Sequence, residues 1–153
     1  MIDLANVRVA VSTDAAALQS LYRQLVDDDK VNVTESGIQD LAEDTRTRLF
    51  VCEFEGVVCA TILVSLCVDV MYAGQPFAVI ENLVVDQAYR GYGIGQLLLN
   101  AVERFCLSRS CSKMMLLSSA SRVDAHRFFE RVGFRGDLKR GFVKYRHQFA
   151  LVA

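Results

Sequence analysis

Apolar and polar positions change period several times along this chain. Val7 to Val11 reads as a first strand. Leu18, Leu21, Tyr22 and Leu25 then recur at helical spacing, on a helix opening at Asp14-Ala15-Ala16 with Ser12 or Thr13 placed to cap it. Asp27-Asp28-Asp29 come next. Acids oppose the dipole at a helix C-terminus, so they belong to the loop beyond, as solvated surface or as a rim that attracts amines. A short helix over Ile38 to Thr45 succeeds that loop. Two strands, Arg48 to Glu53 and Val57 to Val68, are joined across Glu55-Gly56, a turn-compatible pair. Met71 to Phe77, holding Gly74 and Pro76, is a loop.

The central stretch is Ile80 to Phe105. Ile80-Glu81-Asn82-Leu83-Val84-Val85-Asp86 is β-branched and apolar, hence a strand. Arg90-Gly91-Tyr92-Gly93-Ile94-Gly95 is glycine-rich. Beyond it, Ile94, Leu97, Leu98, Ala101, Val102 and Phe105 mark a helix with one buried face. Met114 to Ser118, apolar up to its closing serine, reads as a central strand. Ser121-x-x-Asp124 resembles a capping box before a helix over Ala125 to Val132, with Gly133 at its C-cap. Phe142 to Phe149 alternates enough to be one more strand. This order of elements predicts an α/β domain with a mixed sheet.

A glycine-rich loop between a strand and a helix N-terminus turns backbone N–H groups toward one point, where the dipole also favours negative charge. The expectation is an anion cradle for a pyrophosphate. It is not a Walker A loop, because no Lys-Ser/Thr succeeds it. Nor is it the dinucleotide fingerprint: glycines at 91, 93 and 95 have the wrong spacing, and Cys111 stands where a ribose-binding acid belongs. The plain alternative is a tight turn whose glycines only relieve strain.

Arg90-x-x-Gly93-x-Gly95 after a strand resembles the pyrophosphate loop of the GNAT superfamily, the acetyl-coenzyme A-dependent N-acetyltransferases. Ala125-His126-Arg127-Phe128-Phe129-Glu130-Arg131-Val132-Gly133-Phe134 is similar to that family's Ala-x-x-Phe-Tyr-x-x-x-Gly-Phe segment. The resemblance spans essentially the whole chain, residues 1–153, as a single N-acetyltransferase domain. It implies a three-layer fold with helices on both faces of a mixed, mostly antiparallel sheet that contains a splayed parallel strand pair.

Composition narrows the partners. The chain has 153 residues, 52% hydrophobic and 23% charged, with a net charge of −1, which gives no reason to expect a nucleic-acid partner. Residues 1–86 hold 14 acids and 5 bases, and residues 87–153 hold 4 acids and 12 bases. An anionic cosubstrate suits the second half and a cationic amine the first. The five cysteines include no Cys-x-x-Cys pair and there are two histidines, so zinc spacing is absent and no metal is expected. An odd cysteine count, no leader pattern at Met1-Ile2-Asp3 and no apolar run of membrane length point to a soluble cytoplasmic protein. The oligomeric state is not fixed by the sequence, though the C-terminal strand offers an edge on which a second copy could pair as a homodimer.

The chemistry requires a proton acceptor, because an alkyl amine has a pKa of about 10 and only its free base attacks a thioester. Glu81 is the expected base: it is the one acid in an apolar strand just before the cradle, where desolvation should raise its pKa. The plain alternative is a structural carboxylate paired with an arginine. The resemblance implies that backbone groups of Leu83, Val84 and Val85 hold the thioester and pantetheine of acetyl-CoA. It likewise implies that Tyr92, Gly93, Ile94, Gly95 and Gln96 hold the pyrophosphate, with Gly91 in the same loop. Arg90 either contacts phosphate or braces the loop. Ser118 and Ser119 end a strand where the family commonly contacts the cofactor, so either touches it or both only form the turn at the strand end.

The family often places a general-acid tyrosine where this chain has Phe129, so thiolate departure falls to solvent, Tyr89 or Tyr92, and Phe129 packs on pantetheine or in the core. A thiol of pKa near 8.5 can leave as its anion. His126, between Arg122 and Arg127, reads as a surface histidine. The segment from Ser121 to Phe128 is similar to small-molecule acetyltransferases, which implies a small amine acceptor, its pocket built from loops 27–37 and 69–77. The alternatives are a non-catalytic acyl-CoA-binding regulatory module and a protein or peptide N-acetyltransferase.

Overall fold

The computed structural model describes residues 4–150. It resolves into two compact units, one ending at Leu116 and one beginning at Leu117. The first holds a five-stranded sheet in the order β1 (Ala5–Val9), β2 (Thr47–Phe54), β3 (Val57–Cys67), β4 (Phe77–Val85), β5 (Met114–Leu116). Neighbours are antiparallel except β4 and β5, which are parallel. Three helices accompany it: α1 (Ala15–Leu25), α2 (Glu35–Glu43) and α3 (Ile94–Ser108).

The helices cover both faces. Leu49 and Val51 of β2 cluster with Leu18 of α1 and Ile38 of α2. Phe50, between them, meets Phe105 of α3 at a ring-centroid separation of 6.4 Å. Successive strand residues point to opposite faces, so α1 and α2 lie on one side and α3 on the other. β3, in the middle of the sheet, accordingly has an unbroken buried run from Cys59 to Ile62. The turn at Glu55-Gly56 has φ of 49° and 82°, the mirror-image geometry that suits a two-residue hairpin.

Several boundaries differ from the sequence pattern. β1 starts two residues early, and α2 opens at Glu35 because Thr34 caps it through Gly37 N–H at 3.1 Å. Neither Ser12 nor Thr13 caps α1. They lie in a 3-10 turn (Ser12–Asp14), and Asp14 is committed elsewhere. Its carboxylate is buried and accepts from Val11 N–H at 2.8 Å and from both terminal nitrogens of Arg8 at 2.8 and 3.0 Å. The Arg8 guanidinium holds the Asp14 carboxyl below the usual carboxylate range, against the opposing effect of burial. β5 is not central. It is a three-residue edge strand, and exposed Met115 shows why an apolar run alone does not place a strand inside a sheet.

The second unit is built around α4 (Val123–Arg131). The expected capping box is not formed: Arg122 is the N-cap, the Ser121 hydroxyl pairs with that of Ser119 at 3.2 Å, and Asp124 is fully exposed. The helix end does match expectation. Gly133, at φ 101°, donates to Glu130 O at 3.1 Å and Phe134 to Phe129 O at 2.9 Å, with the Phe129 and Phe134 rings 5.9 Å apart. This is a Schellman closure with its hydrophobic contact. Phe142 to Phe149 does not form the expected strand. It carries only a 3-10 turn (Arg146–Gln148), and Phe142 is 88% exposed. Alternation signals a strand only where a partner edge exists to bond it.

Candidate active site

The site is built on β4 and on the turn and helix that continue from it. β4 pairs with β3 in regular register from Phe77 to Glu81. Then Leu63↔Glu81 gives way to Thr61↔Val84, so Asn82 and Leu83 together oppose Ile62 alone. This is a β-bulge, and Asn82 adopts φ 56° to make it. Asn is among the few side chains that tolerate this left-handed conformation. On its other side β4 pairs with β5 only from Ala78 to Ile80, although β4 runs on to Val85. The strand from Glu81 onward therefore has no β5 partner, and its peptide groups on that edge are free to meet another molecule.

Glu81 sits opposite Leu63, which packs against the α1–α2 cluster, so its side chain projects on that face. It is exposed, not desolvated as its apolar surroundings in sequence suggested. Asn82 beside it is exposed too, and Glu81 is the last residue before the register breaks. Asn82, exposed and strained at the same spot, was missed by sequence reasoning. The available signal was an asparagine, tolerant of positive φ, inside an otherwise apolar strand.

Asp86 ends the strand and starts the cradle. Its N–H donates to Cys59 O at 2.8 Å. One carboxylate oxygen accepts from Ala88 N–H at 2.8 Å, opening a 3-10 turn (Gln87–Tyr89), and the other accepts from the Gln24 amide of α1 at 2.9 Å. Gln24 first, then Ala88 N–H, hold the Asp86 carboxyl below its usual range. Tyr89 packs edge-on against Phe54 at 5.9 Å. Arg90 Nε donates to Val85 O at 3.0 Å, folding the chain back on the strand end, and its terminal nitrogens make no hydrogen bond among the described residues.

Gly91 and Gly93 have φ of 85° and 79°. Both are conformations that L side chains rarely adopt, and a Cβ at Gly91 would meet only open space. Gly93 is the N-cap of α3, so the helix opens at Ile94 and Gly95 lies in its first turn, not in the loop. Helix α3 buries Ile94, Leu98, Leu99, Ala101, Val102 and Cys106; Leu97 and Phe105 are only half-buried. The first intrahelical bond is Leu97 N–H to Gly93 O, at 3.2 Å. Among the described residues, the N–H groups of Gly91, Tyr92, Gly93, Ile94, Gly95 and Gln96 have no protein acceptor. No acid stands in the first turn. Unpaired donors at the positive end of a 15-residue helix fit a diphosphate.

The structure thus strings Glu81, Leu83, Val84, Val85, Arg90 and residues 91–96 along one continuous strand–turn–helix segment. Ser119 and Phe129 belong to the second unit. There the Ser119 carbonyl bonds His126 Nε2 at 2.8 Å, fixing that histidine structurally, while Ser118 Oγ is the buried hydroxyl without a partner among the described residues. Phe129 packs between Phe128 and Phe134. Of the two loops expected to share an acceptor pocket, the first joins α1 to α2 and the second runs into the start of β4. The first leaves α1, whose Gln24 reaches Asp86, whereas Pro76 O accepts from Ser112 N–H at 2.9 Å just before Phe77.

Residues 16–134 match the family model described as "Acetyltransferase (GNAT) family". The chain belongs to the GNAT acetyltransferase family. Both GNAT-like segments, the loop at residues 90–95 and the helix ending at Gly133, lie inside that match. A curated GNAT relative, glucosamine 6-phosphate N-acetyltransferase of Trypanosoma brucei brucei, is 37% identical over 62 residues. That stretch covers 40% of this chain and 40% of the relative's own length. Among solved structures, a putative acetyltransferase from Agrobacterium tumefaciens superposes with a TM-score of 0.84 at 27% identity, covering 92% of this chain and 99% of that one. An aminoglycoside N-acetyltransferase solved in complex with CoA gives a TM-score of 0.79 at 18% identity, covering 93% and 95%, a likeness of fold alone. The GNAT fold seen here is the mixed sheet with its parallel β4–β5 pair and four helices. Among the described residues no helix is long and apolar enough to cross a membrane, and no cluster of potential metal ligands occurs.

Proposed function

We propose that this chain transfers the acetyl group of acetyl-CoA to a primary amine of a small molecule, with Glu81 as the general base. The observation that carries this reading is the continuity of one segment. β4 from Glu81 to Val85, paired with β3 but without a strand partner on its β5 edge, leads through one turn into the unpaired N–H groups of residues 91–96. A long ligand with a diphosphate at one end and an acyl thioester at the other needs donors in that order. The N–H groups of 91–96 would hold the diphosphate, joined by the terminal nitrogens of Arg90. The peptide groups of Leu83, Val84 and Val85 would hold the pantetheine and orient the thioester carbonyl, whose oxygen gains charge during attack. When bound, acetyl-CoA supplies the activated acyl group.

In this reading the amine nitrogen forms the new C–N bond, the C–S bond breaks, and the amine proton passes to the Glu81 carboxylate. Glu81 is exposed, so its carboxylate is open to an incoming amine. The departing thiolate needs no obligatory acid. The exposed acids Asp27, Asp28 and Asp29, in the loop after α1, would draw a cationic acceptor toward the site. The small-amine class is supported by the curated relative's substrate, an amino sugar phosphate.

The test is thiol release from acetyl-CoA across a panel of amines and peptides, with Glu81→Gln beside the parent. Release with small amines, reduced well over tenfold in kcat by Glu81→Gln at nearly unchanged CoA affinity, is the expected result. A variant within twofold of the parent removes Glu81 from the role. Release with peptides only would move the acceptor class, and CoA binding without release would make the chain a silent acyl-CoA-binding module.

A further inference from the structure

Neither the cradle nor the proposed chemistry assigns a role to α1. Yet α1 carries two glutamines that each use both atoms of the terminal amide on a distant stretch of chain. Gln19 Nε2 donates to Val31 O at 2.7 Å while its Oε1 accepts from Val33 N–H at 2.7 Å, tying down the loop between α1 and α2. Gln24 does the same 62 residues away: Nε2 donates to Asp86 Oδ2 at 2.9 Å, and Oε1 accepts from Gln87 N–H at 3.1 Å.

We propose that Gln24 is a positioning residue for the cofactor cradle, holding from α1 the turn that delivers Gly91, Gly93 and the start of α3. This rests on the reading of that cradle as the diphosphate site. Asp86 is the hinge point. Its N–H is fixed to β3 through Cys59 O, and one carboxylate oxygen closes the turn on Ala88 N–H. Tyr89 against Phe54 and Arg90 Nε on Val85 O brace the turn against the sheet. The second carboxylate oxygen and Gln87 N–H, both taken by Gln24, add the tie to α1, a helix that is itself anchored in the core through Leu18 and Leu21.

Only an amide fits this position. It needs a donor toward a carboxylate and an acceptor toward an N–H, side by side on one short planar group. A carboxylate would face Asp86 with like charge, and an ammonium would offer Gln87 N–H nothing. The bonds are exposed, so losing them should shift the cradle without unfolding the chain.

Calorimetric titration with CoA provides the measurement, with melting temperature recorded for each variant. Gln24→Leu is expected to weaken CoA roughly three- to tenfold, as two exposed hydrogen bonds of modest net worth imply, with kcat at saturating acetyl-CoA close to the parent's. Gln24→Glu should be at least as weak. Combining it with Asp86→Asn exchanges the amide and the carboxylate while keeping every bond. The carboxylate now on α1 accepts from Gln87 N–H and from the amide placed at position 86, whose own carbonyl still accepts from Ala88 N–H. The double variant should therefore return to within about twofold of the parent, a coupling that separate structural damage at two sites would not produce. Gln19→Leu, the same lesion on the same helix away from the cradle, should leave CoA affinity unchanged. Unaltered affinity in Gln24→Leu, an equal loss in Gln19→Leu, or no recovery in the double variant each overturns the proposal. A parent that binds no CoA would instead bring down the cradle reading, and this proposal with it.

Discussion

The conformation of Gly93 makes the sharpest test of the cradle. Alanine at φ 79° costs about 1–2 kcal/mol, because its Cβ crowds the following carbonyl in left-handed backbone. At this chain length each kcal/mol lowers the melting temperature by about 2–4 °C. That strain is the same wherever the backbone is left-handed, so it must be separated from any effect on the ligand. Gly56, at φ 82° in the β2–β3 turn with open space around it, provides the separation. Gly56→Ala should lower the melting temperature comparably and leave CoA affinity unchanged.

In Gly93→Ala the loop has a way to relax that the hairpin does not need. It can return residue 93 to negative φ, which swings the neighbouring N–H groups of residues 92–95 out of convergence. A hydrogen bond to a charged group is worth about 1.5–3 kcal/mol, so misdirecting even one of them should weaken CoA by about tenfold or more. Isothermal titration with CoA and scanning calorimetry on both variants give the two numbers. If Gly93→Ala bound CoA within twofold of the parent while losing the same stability as Gly56→Ala, the diphosphate would not lie on these N–H groups.

Two further outcomes are expected. Asp14→Asn should cost about 2 kcal/mol in chemical denaturation at neutral pH, since Arg8 keeps only Glu53, at 3.0 Å, as its ionic partner. Because Arg8 lowers the Asp14 pKa in the folded chain, the stability it contributes is present above the ordinary carboxylate range and lost as the pH falls through the lowered value. The parent should therefore lose more stability than the variant on acidification, and parallel losses would refute this account of Asp14. Phe129→Tyr should fold, because Phe129 is only half-buried among rings that tolerate an added hydroxyl, and should raise kcat severalfold if thiolate departure limits turnover. An unchanged kcat would show that the thiol leaves unaided.

What the sequence alone determined was local. Most of β4, though not its start at Phe77 or its end at Val85, the glycines at 91 and 93 and the helix beyond were readable because side-chain period and φ > 0 glycines act within a few residues of themselves. The same holds for the helix ending at Gly133, whose closure uses only neighbours. Tertiary structure decided everything that needed a distant partner. Asp14 is spent on Arg8 rather than on capping α1, and Glu81 is exposed beside a bulge against Ile62. Met114–Leu116 stands at an edge, the alternating tail finds no strand to join, and Gln24 meets Asp86 across 62 residues. Periodicity records which face a residue offers; which partner arrives at that face is set by how the chain returns on itself, and no single stretch of sequence encodes that return.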